Sequence, residues 1–392
     1  MKRESVPQLT GVNLIAWVAT MPTPQFANIL NELAADPQLD VRAFYRFADD
    51  KKHGWGELPV AHPFETMQLR RPIHNFIHGT RVGMNATLKA AVIFGYTSPF
   101  ATGLLLTCRI RRIPVITMSD SDSAANARNG RTKRAVKQIF LRSVYPRSTR
   151  VWVIGKSNAE YWSAYGLNNQ RYIPFESPIP RNGNILEQRD EIRSTTKRDD
   201  NDRIVLYVGR ISPEKRVQDL VDALRILNRS ADSRYRCLIV GLGDVDSLGI
   251  KPSDDFVRIM GALPHDRLGA AYSAADVLVV PSDREPYGLV VREALQFGLP
   301  VVATSRVPSA LELCDKGWNI VPPIDPIALA AAVKRACDEE RWPILHVVDT
   351  SKAYSEELAR VVHREAATAT TAVAGPTESG PSATLNHHGD GG

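Results

Sequence analysis

Cysteine is scarce in this chain of 392 residues: the four copies stand far apart, with no CxxC or CxxH spacing, at Cys108, Cys237, Cys314 and Cys337. A zinc site needs clustered thiol or imidazole ligands, and a disulfide-stabilised fold needs many paired cysteines, so the sequence predicts neither. The same scarcity is typical of a reducing compartment, and we expect a cytoplasmic protein.

Long apolar runs are also missing. No stretch approaches the roughly 18–20 apolar residues that a membrane-spanning helix requires. Lys2 and Arg3 precede "VNLIAWVATM" in the manner of a secretion signal, but Glu4, Gln8 and Asn13 interrupt that region. The following "TPQFANILNELAADPQLDVRAFY" has the pattern of a helix and a strand. We therefore expect "VNLIAWVA" to be the first buried strand.

Acidic residues are few in the first half of the chain. Residues 1–180 hold 23 Lys and Arg against 12 Asp and Glu, whereas the remaining residues hold 26 and 31. This imbalance indicates a segregated anionic partner, such as nucleic acid, phospholipid or a phosphorylated substrate. Aromatic residues are sparse among these cations, which argues against single-stranded nucleic acid.

The densest basic cluster surrounds "TMSDSDS" and comprises Arg109, Arg111, Arg112, Arg128, Arg131, Lys133, Arg134 and Lys137. Arg128, Arg131, Arg134 and Lys137 have near-helical spacing. One interpretation is a helix face that contacts anionic lipid or a lipid-diphosphate acceptor at the cytoplasmic face of a membrane, in a salt-sensitive way. The other is an ordinary solvated helix face.

Short β-rich apolar runs alternate with helical patterns along most of the chain. They are "VNLIAWVA", "AVIFGY", "PVITMS" and "RVWVIG" in the first half, then "RIVLYVGR", "CLIVG", "VRIMG", "VLVVPS" and "PVVAT". This alternation predicts an α/β protein with two doubly wound parallel sheets facing each other across a cleft. Ligands bind beyond the carboxyl ends of such strands.

The predicted boundaries follow changes in composition. We expect a first domain over residues 1–178, a linker over 179–202 and a second domain over 203–338. Residues 339–366 are expected to be helical and to pack back on the first domain. The Ala/Thr/Gly/Ser/Pro-rich tail, residues 367–392, has no apolar periodicity and is expected to be disordered.

Two basic residues follow the first strand of the second domain in "LYVGRISPEKRVQDL". Arg210 comes directly after the strand, and Lys215 lies in the first turn of a helix that Pro213 can begin. Cations at a helix N-terminus oppose the helix dipole, and a bound phosphate would explain them. The alternative is a solvated lysine and an arginine paired with a carboxylate. The next strand runs into Gly241 and Gly243, a spacing that suits close ligand approach but equally a tight turn.

The stretch "DREPYGLVVREALQFGLPVVAT" places Glu285 on a loop and Glu293 about two turns into the following helix. Their separation, on the order of 10 Å, suits two contacts on one elongated ligand better than an acid–base pair. Gly288 would allow close backbone approach at the helix start. The alternative is that Glu285 is a solvated loop residue and that Glu293 pairs with Arg292 or Arg284.

Together, "GRISPEK", the Gly-x-Gly turn and "EPYGLVVREALQFGLPVVAT" resemble the retaining family 4 glycosyltransferases of the GT-B fold. Residues 203–338 resemble the donor-binding half, with the E-x7-E pattern intact at Glu285 and Glu293. The segments "MPTPQFANILNELAADPQLDVRAF" and "IPVITMSDSDS" resemble, more loosely, the subgroup that elongates cell-surface polysaccharides. The first half lacks that family's glycine pair and histidine, and Asp120 stands near the histidine position.

The resemblance implies a retaining transfer of sugar from a nucleotide-diphosphate sugar to a glycan or lipid-linked acceptor, without metal or other cofactor. Arg210 and Lys215 would hold the diphosphate, Glu285 the transferred sugar and Glu293 the ribose. Gly241, Gly243 and the amides of Tyr287, Gly288 and Leu289 would line the donor, and Asp120 would face the acceptor or sugar. The alternatives are a sugar-nucleotide epimerase, a phosphorylase, or a catalytically weak scaffold that only binds nucleotide.

Overall fold

The computed structural model describes residues 13–37, 39–47, 60–67, 71–95, 97–121, 130–146, 148–173, 179, 184–197, 199–229, 235–346 and 352–361. The tail predicted to be disordered, residues 367–392, lies outside this set, and so does Arg128. Within it, every strand lies in one of two parallel sheets.

The first half of the chain builds a seven-stranded sheet. Its strands are β1 (Asn13–Ala19), β2 (Leu39–Tyr45), β3 (Phe64–Thr66), β4 (Leu88–Phe94), β5 (Val115–Met118), β6 (Arg150–Val153) and β7 (Gln170–Tyr172). Its helices are α1 (Pro24–Ala35), α2 (Pro72–Met84), α3 (Pro99–Arg111), α4 (Arg131–Val144) and α5 (Lys156–Ser163). The strand order is β3-β2-β1-β4-β5-β6-β7.

Helices cover both faces of this sheet. In β1, Ala16 faces the core beneath α3 and α4, and its neighbour Trp17 faces the core beneath α1. A strand that is buried on both faces reads as a continuous apolar run, which explains "LIAWVA". Local capping starts the helices: the hydroxyl of Thr23 accepts from the Phe26 N–H at 3.2 Å at the start of α1.

The second half builds a six-stranded sheet. Its strands are β8 (Arg203–Val208), β9 (Tyr235–Val240), β10 (Val257–Gly261), β11 (Val277–Val280), β12 (Val301–Thr304) and β13 (Ile320–Val321). Its helices are α6 (Ile185–Thr196), α7 (Val217–Leu227), α8 (Leu268–Ala274), α9 (Leu289–Gln296), α10 (Pro308–Leu313) and α11 (Pro326–Cys337). The strand order is β10-β9-β8-β11-β12-β13, so both sheets are doubly wound and the predicted fold class is confirmed.

Part of the expected linker is a structural element of the second half. The segment 179–202 contains α6, which packs on α8. Ile179 and Ile192 are buried in the core beneath α8 and α9. Their apolar side chains are isolated in an otherwise polar stretch, which is why composition alone indicated a linker.

Residues 339–346 have no helical or other regular secondary structure, so the prediction of helix at this point is wrong. Pro343 has no N–H to donate and interrupts a helix. Trp342 is buried against the second half, and its backbone N–H donates to the Gly298 carbonyl at 2.7 Å. A helix then spans 352–361 and packs on the first half, where Tyr354 contacts Trp152 with ring centroids 4.8 Å apart.

Candidate functional site

A cavity of about 640 Å³ lies at the carboxyl ends of β8, β9 and β11. Among the residues that the structure describes, all those that line the cavity belong to the second half of the chain. The loops after those three strands, the loop after β10 and the first residues of α9 contribute to it. This is the edge at which doubly wound sheets bind ligands.

The centre of this cavity holds an ion pair between two residues predicted for the site. The Lys215 ammonium lies 2.6 Å from a carboxylate oxygen of Glu285. The two side chains are only 15% and 12% exposed, so this is a largely desolvated pair. The hydroxyl of Ser282 donates to the same carboxylate at 3.1 Å. Neither a solvated Lys215 nor a solvated Glu285, the alternatives left open by the sequence, describes this arrangement.

Backbone hydrogen bonds hold the two loops that carry this pair. A 3-10 turn, Pro213–Lys215, follows β8. The carbonyl of Glu214 accepts from the N–H groups of Asp283 and Arg284 at 3.0 and 3.2 Å. Lys215 and Glu285 are therefore brought together by a fixed junction between the loops after β8 and β11, although they are far apart in sequence.

Arg210 lines the cavity at a more solvated position. Its guanidinium lies 3.4 Å from the carboxylate of Glu214, and the two side chains are 50% and 38% exposed. Such an exposed pair contributes little to stability, which leaves Arg210 available to another anion. The hydroxyl of Tyr207 donates to the Arg210 carbonyl at 2.6 Å. Burial, and then the charge of Glu285, raises the pKa of Tyr207, so this hydroxyl stays a donor.

Gly241 and Gly243 are required by the packing of the chain itself. Both have positive φ angles, 150° and 149°. A Cβ on Gly241 would lie 1.8 Å from the Gly209 carbonyl oxygen, and one on Gly243 would lie 2.0 Å from that of Ile211. The ends of β8 and β9 approach too closely for side chains, which supports the tight-turn interpretation. Gly241 also lines the cavity, whereas Gly243 is not part of the described lining.

The start of α9 forms another wall of the cavity. Gly288 precedes this helix with φ of 95°, and Gly288, Leu289 and Val290 all line the cavity. The hydroxyl of Ser309 donates to the Gly288 carbonyl at 2.8 Å and fixes the turn. The first N–H groups of a helix have no intrahelical acceptors and carry a partial positive charge, so this wall favours an anion.

Tyr287 lies at the contact between the two halves and is not part of the described lining. Its ring approaches Gly155 at the start of α5, where a Cβ would lie 2.5 Å from the ring. Beside it, Glu312 of α10 accepts from the N–H of Lys156 at 2.7 Å. Burial, and then the charge of Glu312, raises the pKa of Tyr287. The predicted role of the Tyr287 amide stays a prediction.

Glu293 is buried at 8% exposure and has Tyr272 as its partner, with hydroxyl and carboxylate oxygens 2.6 Å apart. Burial raises the pKa of Glu293, and the Tyr272 hydrogen bond opposes that change. Glu293 is outside the described lining of the cavity, although it lies on the helix that forms one wall. Its contact with a ribose stays a prediction.

Asp120 lies on the first half, two residues beyond β5, and is exposed. The buried amide of Asn158 donates to the carbonyls of Ser119 and Ser121 at 2.9 and 2.6 Å, which fixes the backbone around Asp120. Asp120 does not line the described cavity. No local sequence pattern marks Asn158, because its partner loop lies 37 residues earlier in the chain.

Other contributors to the cavity were also missed. Ser282 lies two residues beyond β11, a position at the carboxyl end of a strand that could have indicated it. Ala262, Leu263 and Leu268 form an apolar side of the cavity after β10. No feature of their sequence distinguishes them from ordinary core residues.

Two negative findings concern the part of the chain that the structure describes. There, no three His, Cys, Asp or Glu side chains lie close enough together to hold a metal ion. In the same residues, no helix combines the length and apolar character needed to cross a bilayer.

Residues 188–356 match the model of the protein family described as glycosyl transferases group 1. The O-antigen chain mannosyltransferase B of Escherichia coli is 28% identical over 145 residues, which are 35% of this chain and 37% of that protein. The alpha-D-kanosaminyltransferase of Streptomyces kanamyceticus is 32% identical over 160 residues, 39% of this chain and 40% of that protein. The chain thus matches these two relatives over less than half of their length.

Solved structures resemble the chain over both halves. Sucrose-phosphate synthase from Thermosynechococcus elongatus has a TM-score of 0.62 at 19% identity, covering 92% of this chain and 99% of that one. Anabaena HepE in complex with UDP has a TM-score of 0.62 at 15% identity, covering 92% of this chain and all of that one. With two doubly wound sheets and a cavity at the strand ends of the second, the chain has the GT-B fold, and its residues 188–356 match glycosyl transferases group 1.

Proposed function

We propose that this protein is a retaining family 4 glycosyltransferase that moves a sugar from a nucleotide-diphosphate sugar to a hydroxyl of a glycan or lipid-linked acceptor. The observation that carries the proposal is the Lys215–Glu285 pair, which sets a cation and a carboxylate side by side in the cavity of the second sheet. A phosphorylated sugar offers matching chemistry, because the phosphates need cations and the sugar hydroxyls need acceptors.

The diphosphate would lie between the 3-10 turn and the start of α9. Arg210 and Lys215 line that space together with Gly288, which precedes α9, and with Leu289 and Val290, the first two residues of the helix. Two cations and a helix N-terminus together form an anion site and would stabilise the diphosphate as it departs.

Glu285 would accept hydrogen bonds from hydroxyls of the transferred sugar, with Ser282 orienting its carboxylate. The apolar side formed by Ala262, Leu263 and Leu268 suits the face of a nucleobase. Glu293 would contact the ribose only with lone pairs that Tyr272 leaves open.

The proposed reaction retains configuration at the anomeric carbon. The bond between that carbon and the phosphate oxygen breaks, and the acceptor oxygen forms its bond on the same face. The acceptor proton passes to the departing phosphate oxygen. Arg210 and Lys215 stabilise the negative charge of the leaving group, so we propose that no metal is required. Activity that persists in excess EDTA supports this step, and activity that needs an added divalent cation contradicts it.

The acceptor would bind on the first half, where Asp120 is exposed near the carboxyl end of β5. A family resemblance to polysaccharide biosynthesis supports a glycan or lipid-linked acceptor. Among the similar proteins, HepE has been captured with UDP and UDP-glucose, and the Escherichia coli relative is named for transfer of mannose. These names define the donors to test first.

Calorimetric titration of the full chain with UDP, GDP and ADP tests the donor site. We expect one nucleotide to bind, and Lys215→Ala to weaken it at least tenfold. Lys334→Ala, on the exposed surface of α11, is the matched control and should leave the affinity unchanged. Binding that is indifferent to Lys215→Ala would contradict the site.

Turnover separates the enzyme from the alternatives. Sugar transfer from the matching donor to a glycan or lipid-linked acceptor, with retained anomeric configuration, supports the proposal. Nucleotide binding without transfer to any acceptor favours the catalytically weak scaffold, and conversion of the free donor to its epimer favours an epimerase.

A further inference from the structure

Helix α4 presents an apolar stripe to solvent, formed by Val136, Ile139 and Phe140. Their side chains are 62%, 67% and 37% exposed. The spacing of three and four residues places them on one face of the helix. The amphipathic helix of a globular protein normally turns such a face toward the core, so this orientation calls for an external partner.

Contacts on the opposite face of α4 fix this orientation. The ammonium of Lys137 lies 4.6 Å from the ring centroid of Tyr161 and 4.8 Å from that of Tyr165. Leu141 and Val144 are buried on the same side. Lys137 therefore faces the protein, and the interpretation that it faces lipid is wrong. A rotation that buried the apolar stripe would expose these contacts, so the stripe stays outward.

Cations lie at the N-terminal end of the apolar stripe. Arg131 and Lys133 are exposed in the first turn of α4, whereas the guanidinium of Arg142 in the last turn lies against Gly166, where a Cβ would be 3.2 Å from it. Within the described residues none of the three forms an ion pair, and α4 contains no acidic residue. Two cations in the first turn work against the helix dipole, and an anion outside the molecule would offset that cost.

The neighbouring helix ends extend this surface. Arg109 donates to the carbonyl of Ser143 at 2.8 Å, and Arg111 donates to that of Asn85 at 2.7 Å, so the C-terminal ends of α2, α3 and α4 lie side by side. These two arginines are thus occupied inside the protein. Between them, Ile110 in the last turn of α3 is 82% exposed. A further exposed apolar side chain therefore lies at the end of α3, which adjoins the C-terminal end of α4.

We propose that α4 docks on an anionic lipid bilayer, with the apolar stripe at the boundary of head groups and acyl chains and with Arg131 and Lys133 at the lipid phosphates. A helix with exposed aliphatic and aromatic side chains and flanking cations is suited to that interface. A second copy of the chain fits less well, because a symmetric contact would set cations against cations with no acidic residue of α4 to pair them.

The docked orientation has a consequence for the acceptor side. Helix α4 follows β5 in the chain, so its N-terminus lies toward the edge of the sheet that carries Asp120. A bilayer against α4 would thus lie near that edge. Membrane docking does not depend on the proposed sugar transfer, and it can be measured without any nucleotide.

Flotation of the full chain with vesicles tests the proposal. We expect binding to vesicles of phosphatidylglycerol and phosphatidylcholine, little binding to phosphatidylcholine alone, and partial retention at high salt because the apolar contact is not screened. Val136→Ser/Ile139→Ser should weaken binding at least tenfold. Ile327→Ser, which removes a side chain that is 74% exposed on α11, should leave it unchanged.

The charge component has its own test. Arg131→Ala/Lys133→Ala should weaken binding at low salt by on the order of fivefold per cation, and this difference should disappear at high salt. Absence of wild-type binding to anionic vesicles at low salt would overturn the proposal. Binding that is equal for the wild type and Val136→Ser/Ile139→Ser would also overturn it.

A site-specific reporter distinguishes insertion from loose adsorption. The four native cysteines are buried, so an environment-sensitive dye can be attached selectively to Ile139→Cys or to Ile327→Cys as control. Anionic vesicles should shift the emission of the dye at position 139 to the blue and leave that at 327 unchanged. Equal shifts would overturn the proposal. One further combination of results would overturn the proposal: the chain sediments as a dimer without lipid, Val136→Ser/Ile139→Ser dissociates that dimer, and the chain does not bind vesicles.

Discussion

The pairing of Lys215 with Glu285 predicts that Glu285→Gln will bind a free nucleoside diphosphate more tightly than the wild type does. In the structure the carboxylate lies 2.6 Å from the ammonium and already neutralises the cation that a phosphate would use. Glutamine keeps the shape and an oxygen acceptor for Lys215 but removes the negative charge. The substitution therefore frees the cation for phosphate without creating a cavity.

The magnitude follows from Coulomb's law. A carboxylate and a phosphate that share one lysine lie about 6 Å apart, and at an effective dielectric constant of about 20 they repel by about 3 kcal/mol. The cavity opens to solvent and salt screens the charges, so we expect the repulsion that opposes binding to be about 1–2 kcal/mol. This corresponds to roughly 5- to 30-fold in Kd.

Calorimetry at low and high salt with the best-bound of UDP, GDP and ADP measures this change. Glu214→Gln is the matched control, because Glu214 also lines the cavity but is 38% exposed and 3.4 Å from Arg210. We expect the control to change affinity by no more than about threefold. Sugar transfer should fall on the order of 100-fold in Glu285→Gln, opposite in sign to the gain in binding. Unchanged or weaker nucleotide binding in Glu285→Gln would refute the reasoning.

Three further predictions concern stability and the contact between the halves. Burial lowers the pKa of His62 from its ordinary 6.5 to about 4, so stability that is fully present above pH 6.5 should fall by roughly 3 kcal/mol as the pH drops toward 4. Urea unfolding at several pH values should show this loss in the wild type, less of it in His62→Gln, and all of it in the control His346→Gln. Gly241→Ala should cost about 3 kcal/mol or more in urea unfolding without nucleotide, because its Cβ would overlap the Gly209 carbonyl; a cost below about 1 kcal/mol contradicts this. Glu312→Gln should slow sugar transfer about tenfold with unchanged nucleotide affinity, since Glu312 contacts the first half while the cavity belongs to the second; a parallel loss of affinity would show that Glu312 acts within the donor site.

Sequence patterns predicted the two sheets well, for a simple physical reason. A strand buried on both faces must be a continuous run of apolar residues, as in "LIAWVA" and "VLVV", and each run predicted as a strand is one. The patterns were weakest where burial involves isolated side chains. Ile192 of α6 and Trp342 in residues 339–346 are isolated apolar side chains that anchor polar stretches to the core. The average composition of such a stretch does not reveal a single apolar residue.

The sequence alone also selected Arg210, Lys215 and Glu285 as candidate site residues, and all three line one cavity. Tertiary structure decided how these residues are arranged. The Lys215–Glu285 pair depends on the loops after β8 and β11 lying side by side, 70 residues apart in the chain. Likewise, the spacing of the cations predicted a basic helix at α4. Only the packing of α4 against Tyr161 and Tyr165 determined which of its side chains face outward. Local patterns record whether a residue is buried, whereas which residues meet is set by the order of the strands and the packing of the helices between them.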